Sequence, residues 1–226
     1  MKILCTADWR GADITPVIEL TKKHQPDLII NAGNWASSTS TKRERQKLGL
    51  QVGELRHLAP ILGIQGPEDV HRRDDLYATD FDIWQSDELF VMLIPARISS
   101  EEIDMTIPMF LKHAKDRISV LVVQGVPSDA EKMYTEFPVD SACKSFDSSL
   151  ANGWDLCACG GLTIAQVTPI YRVVVPGSIE PAYGEAFMRP RPRKGVTIWE
   201  DGNLYVDEFT HVKGDANKAI EELFDV

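Results

Sequence analysis

Five short apolar runs, each leading into a glycine-containing loop, constrain the fold of this chain more than any other feature. They are "KILCTA", "PDLIINAG", "APILGIQG", "ISVLVVQG" and "WDLCACGG"; a sixth run, "ELFVMLIP", lacks the glycine. Runs of this length without a helical period read as buried strands. Helical patterns lie between them. Thr15 and Pro16 make a helix start, a cap followed by proline in the first turn, with Val17, Leu20 and His24 on one face. "STSTKRERQKLGLQVGELRHL" gives a second helix with the apolar stripe Leu48, Val52 and Leu55, and with Lys42, Arg43, Arg45 and Lys47 near its start. A third helix runs from about Glu101 to Lys115, and a helix-like stretch precedes "WDLCACGG". The last third changes character. "YRVVVPGS" and "GVTIWEDGNLYVDEF", with its Asp201-Gly202 turn, read as antiparallel strands, and a short amphipathic helix covers Ala216 to Phe224. Buried strands separated by helices predict an α/β layered fold, whose ligand site gathers at the carboxyl ends of the strands. The loops to compare are therefore those after Ala7, Ala32, Gln65, Val123 and Cys159.

Bulk properties narrow the function classes. The 226 residues suit one well-packed domain, and 24 basic against 34 acidic residues leave a net charge of -10. A nucleic-acid contact in so acidic a chain needs a local patch. The best candidate is "MRPRPRKG", where prolines hold Arg189, Arg191, Arg193 and Lys194 extended as a polyanion-contacting loop. No apolar run approaches the ~20 residues of a membrane span, and Met1-Lys2 leads straight into a strand pattern instead of a signal core. No membrane partner is expected. Cys5, Cys143, Cys157 and Cys159 read as reduced thiols in a cytoplasmic protein, since Cys157 and Cys159 lack the spacing of a zinc knuckle.

Taken in order, these loops resemble the calcineurin-like metallophosphoesterase superfamily. The resemblance is strongest to the branch holding the nuclease subunit of the bacterial SbcCD exonuclease and its break-repair relatives. "MKILCTADWRG" resembles the family's opening strand and D-x-H loop, "PDLIINAGNW" its strand ending in G-D, and "ILGIQGPED" its G-N-H element. "LVVQG" is similar to the strand ending in a ligand histidine, and "WDLCACGGLT" to the G-H-x-H segment. "VVVPGSIEP" with "RKGVTIWEDGNLYVDEF" matches the P-G-S element and closing hairpin. The resemblance covers residues 1–210 as one phosphoesterase-fold domain, with 211–226 a short helical tail. It implies a two-sheet β-sandwich flanked by helices; no capping domain is expected, because only about 16 residues follow the closing hairpin.

The family's chemistry is implied only in outline. Its site holds two divalent ions roughly 3.5–4 Å apart on carboxylates, other oxygen donors and neutral imidazoles. Carried over position by position, the first aspartate survives as Asp8, while the next ligand histidine is Arg10 and the bridging aspartate is Asn34. Pro67 and Glu68 stand for the asparagine and histidine of G-N-H, Gln124 for the single histidine, and Gly161 and Thr163 for those of G-H-x-H. Guanidinium has no lone pair to give a metal, and proline and glycine side chains offer nothing. No catalytic residue, no metal ligand and no resident cofactor is therefore expected. An Asp8–Arg10–Glu68 network is expected where the metals would sit.

Other chemistries leave no trace. His24, His57, His71, His113 and His211 occupy none of the family's ligand places, and there is neither a serine elbow nor a phosphate-binding lysine loop. Trp9 and Trp35 read as packing residues. The leading expectation is a catalytically inactive, nuclease-like scaffold or subunit in a DNA-processing complex, with an SbcC-like ATPase as candidate partner. One alternative is an active Mn²⁺ phosphoesterase using Asp8, Asn34, Glu68 and Asp69; another is a phosphate or nucleotide sensor working through Arg10. A homodimer through the Thr41–Leu58 helix rests on analogy with the family.

Overall fold

The computed structural model describes residues 1–69, 77–128, 144–161, 166–168, 172–179 and 194–209. In chain order the first half contains β1 (Lys2–Thr6), α1 (Thr15–His24), β2 (Leu28–Asn31), α2 (Lys42–Leu58), β3 (Ile61–Gly63), β4 (Asp82–Gln85), β5 (Leu89–Ile94) and α3 (Ser100–Ala114). The second half contains β6 (Ile118–Pro127), β7 (Lys144–Phe146), a 3-10 turn at Ser148–Ala151, β8 (Leu156–Gly160), β9 (Gln166–Thr168), β10 (Val173–Val175), β11 (Gly195–Glu200) and β12 (Asn203–Glu208). One sheet has the order β12-β11-β1-β2-β3; the other runs β4-β5-β6-β8-β10-β9, with β7 paired to β6. In the first, β1, β2 and β3 are parallel. In the second, β5, β6, β8 and β10 are parallel, and β4 and β9 are antiparallel edges.

The apolar runs are continuous because both faces of each central strand are covered. On β1, Ile3 and Cys5 enter the core between the sheets with Val91, Val120 and Val122, while Leu4 packs outward with the α1–α2 layer. On the far side, Met92, Leu121 and Val123 pack against Ile103 and Ile107 of α3. The result is a helix–sheet–sheet–helix sandwich with no added domain among the described residues. The α2 stripe is the predicted Leu48, Val52 and Leu55. Capping boxes open α2 (Thr41 with Glu44) and α3 (Ser99 with Glu102), each cap adding about 1 kcal/mol.

Several expectations need correction. Thr15 does not cap α1; it is the first helical residue, and Asp13 accepts its amide at 3.0 Å instead. The buried face of α1 is Val17, Ile18 and Thr21, with Leu20 and His24 only half buried. The stretch before "WDLCACGG" contains β7 and the 3-10 turn over 144–151, and its earlier part lies outside the described residues. β10 is antiparallel only to β9 and runs parallel to β8. The 211–226 tail, Cys143, Thr163, Arg189, Arg191 and Arg193 also lie outside the described residues. The Asp201-Gly202 turn has φ +48° and +88°, the doubly left-handed geometry of a tight hairpin. Cys5, Cys157 and Cys159 are buried thiols that form no disulfide among the described residues. No described helix is long and apolar enough to cross a membrane.

Candidate functional site

The parallel strands of both sheets end at one rim. Backbone strain concentrates there. Asp8, Arg10 and Asn34 all have φ between +51° and +55°, beside left-handed Gly11, Gly33 and Gly161. Non-glycine residues rarely adopt this region, and it costs roughly 1–2 kcal/mol each. The β1 and β2 loops are laced together: Asp8 donates its amide to Gly33 at 2.9 Å, Arg10 to Asn34 at 2.9 Å and Gly11 to Trp35 at 3.0 Å. Beneath them Trp9 and Trp35 are 0% and 1% exposed and meet edge to face at 4.9 Å. Both are packing residues, with indole N–H groups donating to Thr6 and to the Ile64 carbonyl.

Four residues from three loops form a closed ring on this floor. The Asn34 amide donates to Asp8 Oδ1 at 2.5 Å, and the Glu68 backbone N–H donates to Asn34 Oδ1 at 3.1 Å. Arg10 closes it, with Nη1 3.2 Å from Glu68 Oε1 and Nη2 3.7 Å from Asp8 Oδ1. Asp8 is 1% exposed, whereas Arg10 and Glu68 are 32% and 26% exposed, so the ring runs from the interior to the surface.

Burial pushes the Asp8 carboxyl up to about 6, against the Asn34 hydrogen bond, the Arg10 guanidinium and the facing Gly161 amide. That amide does not close a hydrogen bond to Oδ2, a buried atom without a hydrogen-bond partner. Asp69, 4% exposed, is also pushed to about 6 by burial, and the Asp8 charge adds to the shift. Its Oδ1 accepts from the Ala36 amide and its Oδ2 from the Gly66 amide, both at 2.8 Å, so it clamps the β2 and β3 loops together.

Among the described residues the second sheet contributes filling instead of ligands. Gln124, 2% exposed, bridges the sheets when its amide is oriented to satisfy both neighbours. The nitrogen then donates to the Ala32 carbonyl and the oxygen accepts from Gly161 N–H at 3.3 Å. The space around it is closed. A Cβ on Gly33 would lie 2.2 Å from the end of the Gln124 amide, and one on Gly160 only 1.9 Å from the Ala32 carbonyl.

A two-metal centre does not fit these residues. Asn34 spends both amide ends inside the ring, Gln124 spends one on Ala32 of the other sheet and one on Gly161 of its own, and Asp69 spends both oxygens on backbone amides. Asp8 Oδ2 is the one oxygen of the ring aspartate left over, and a guanidinium stands where an imidazole would be needed. Gly161, at φ +101°, has a backbone that would strain any L side chain, histidine included. Among the described residues no group of three His, Cys, Asp or Glu converges as metal ligands would.

Pro67 lies in the β3 loop without a side-chain role. Lys194 differs from expectation. It is 7% exposed and donates from Nζ to Ser178 Oγ at 2.9 Å, so it is turned inward and does not belong to a solvent-facing polyanion loop. The sequence reading also missed Gln124 as a bridge and Asp69 as a clamp. The run of glycines at 33, 66 and 160 was the available signal, since each marks a close approach.

The crystal structure of TT1561 from Thermus thermophilus superposes with a TM-score of 0.55 at 14% identity, over 92% of this chain and 98% of that one. The two chains share the two-sheet fold described above. Yfce, a phosphoesterase from E. coli, is 12% identical with a TM-score of 0.49, over 93% of this chain and 94% of that one. A metallophosphoesterase from Sphaerobacter thermophilus is 14% identical with a TM-score of 0.46, over 99% and 94%. At these identities the likeness speaks for the fold alone. No family model and no curated protein matches the chain.

Proposed function

We propose that this chain is a metallophosphoesterase-fold protein without the two-metal hydrolytic activity, serving as a non-catalytic subunit or scaffold. The observation that carries this reading is the closed Asp8–Asn34–Glu68–Arg10 ring, which occupies the floor where the fold gathers its ligands. Two dications would bring about four positive charges to such a floor, and buried carboxylates facing each other without them are costly. Here a neutral amide and a permanent cation meet that cost. The DNA-processing context, and an SbcC-like ATPase as partner, rest on the resemblance of the loops to the break-repair nucleases. DNA contact would fall to Arg189, Arg191 and Arg193, with Lys194 excluded by its burial.

The alternative ligand set of Asp8, Asn34, Glu68 and Asp69 would have to break the ring and both Asp69 clamps before it could hold Mn²⁺. A phosphate sensor would need Arg10 to exchange Glu68 for the ligand.

Calorimetric titration of chelator-treated protein with Mn²⁺ tests the reading, with Asp8→Ala as control and phosphodiester hydrolysis measured in parallel. No binding heat up to millimolar metal and no turnover are expected. Two-site binding that disappears in Asp8→Ala, together with metal-dependent turnover, would overturn it. Recovery of the tagged chain in a larger stable complex supports the scaffold role, and a ligand-induced rise in Tm with inorganic phosphate would favour the sensor.

A further inference from the structure

The outer face of α3 (Ser100–Ala114) is unusually apolar at its centre. Met105 and Met109 are 63% and 58% exposed, one helical turn apart, with exposed Pro108 beside them. Methionine is enriched at protein interfaces, and its flexible thioether adapts to a facing surface. The packed side of the helix is formed by Ile103, Ile107 and Ala114, with Phe110 and Leu111 half buried beside them, so these methionines are not displaced core residues.

Charge divides along the same stripe. Glu101 lies in the first turn and Lys112 in the last, both exposed and about 16 Å apart along the axis. The two ends are thus of opposite sign, with the methionines between them. Such a stripe is complementary to itself when a second copy lies antiparallel. A twofold axis passing Ile107 would place Met105 against the partner's Met109, and Glu101 beside the partner's Lys112.

We propose that α3 is a self-association face, on which a second copy of this chain docks in antiparallel, isologous fashion. This inference does not rest on the proposed loss of hydrolytic activity. It moves any homodimer from the α2 layer to the opposite side of the sandwich. A single pair of 15-residue helices buries less than the roughly 800 Å² per partner of a standard interface. The association is therefore weak, and it shows at high micromolar concentration.

Sedimentation equilibrium of the full chain up to about 500 µM tests it, since an interface of this size is expected to dissociate near micromolar levels or above. The wild type should enter a monomer–dimer equilibrium. Met105→Glu should weaken it at least tenfold with unchanged circular dichroism. Glu101→Lys and Lys112→Glu should each weaken it, and the double variant, which swaps both charges, should recover most of the affinity. A wild type that stays monomeric throughout the range overturns the proposal. So does dimerisation that survives Met105→Glu and is lost in Leu50→Glu, because Leu50 is 79% exposed on α2. Absence of recovery in the double variant refutes the antiparallel register.

Discussion

Removing the Arg10 side chain should destabilise the protein far more at pH 7.5 than at pH 5. The guanidinium stands 3.7 Å from Asp8 and 3.2 Å from Glu68. At an effective dielectric constant near 20, the Asp8 attraction alone is about 4–5 kcal/mol. A third of Arg10 is open to solvent, and screening brings a realistic loss in Arg10→Ala to about 2 kcal/mol at pH 7.5. The pH dependence follows from Asp8. Its carboxyl already titrates near 6 in the fold, and Arg10 is one of the groups holding it down. Each further unit of upward shift costs about 1.4 kcal/mol where Asp8 must ionise, and nothing at pH 5, where it is protonated in both variants. For a chain of this size the loss corresponds to a Tm drop of roughly 4–8 °C at pH 7.5 and half that or less at pH 5. Thermal melts by circular dichroism at the two pH values give the answer. Asp8→Asn placed on Arg10→Ala should restore most of the loss, because it removes the uncompensated charge while keeping the shape. A Tm unchanged within error at both pH values would refute the ring as a structural element; an equal drop at both would refute its dependence on Asp8 ionisation.

Two further outcomes follow from the rim. The folded protein holds protons on Asp8 and Asp69 that the unfolded chain gives up near 3.8, so the contribution of these two groups to stability is fully present below that value and is lost as pH rises through about 6. Urea unfolding should find the protein more stable at pH 5 than at pH 7.5 by about 1.4 kcal/mol per carboxylate, near 3 kcal/mol for both; a rise toward pH 7.5 would contradict the shifts. Asp13, held below the usual carboxylate range chiefly by Lys47, acts only under about pH 4 and does not disturb this window. Gly160→Ala should cost more than about 3 kcal/mol or prevent soluble expression, since its Cβ would meet the Ala32 carbonyl at 1.9 Å. An unaltered urea midpoint would mean that the two sheets can separate at the rim.

The sequence disclosed those features whose signal is local. The α2 stripe repeats at helical spacing, and the Asp201-Gly202 hairpin carries its turn chemistry in two residues. β4 escaped because Asp82, Trp84 and Gln85 are exposed and only Ile83 packs inward, so an edge strand reads as a loop. The inward turn of Lys194 depends on Ser178, 16 residues away, and a lysine in a basic run gives no hint of it. At the site the changed residues were legible one by one, but their closure into a ring was not. That closure needs the register of β1, β2 and β3, which brings Asp8, Asn34 and Glu68 together across 26 and 34 positions of sequence.

The Gln124 bridge has a consequence for how the protein is made. A rim joined through the Ala32 carbonyl and the Gly161 amide is finished when the chain is folded. On the reading proposed above, its completion draws on no supply from the cell. The quality of a preparation should then be indifferent to chelators in the lysis buffer and to the metal content of the growth medium. What the fold does require is the meeting of the two sheets, where a glycine lies opposite a carbonyl with no room for anything larger.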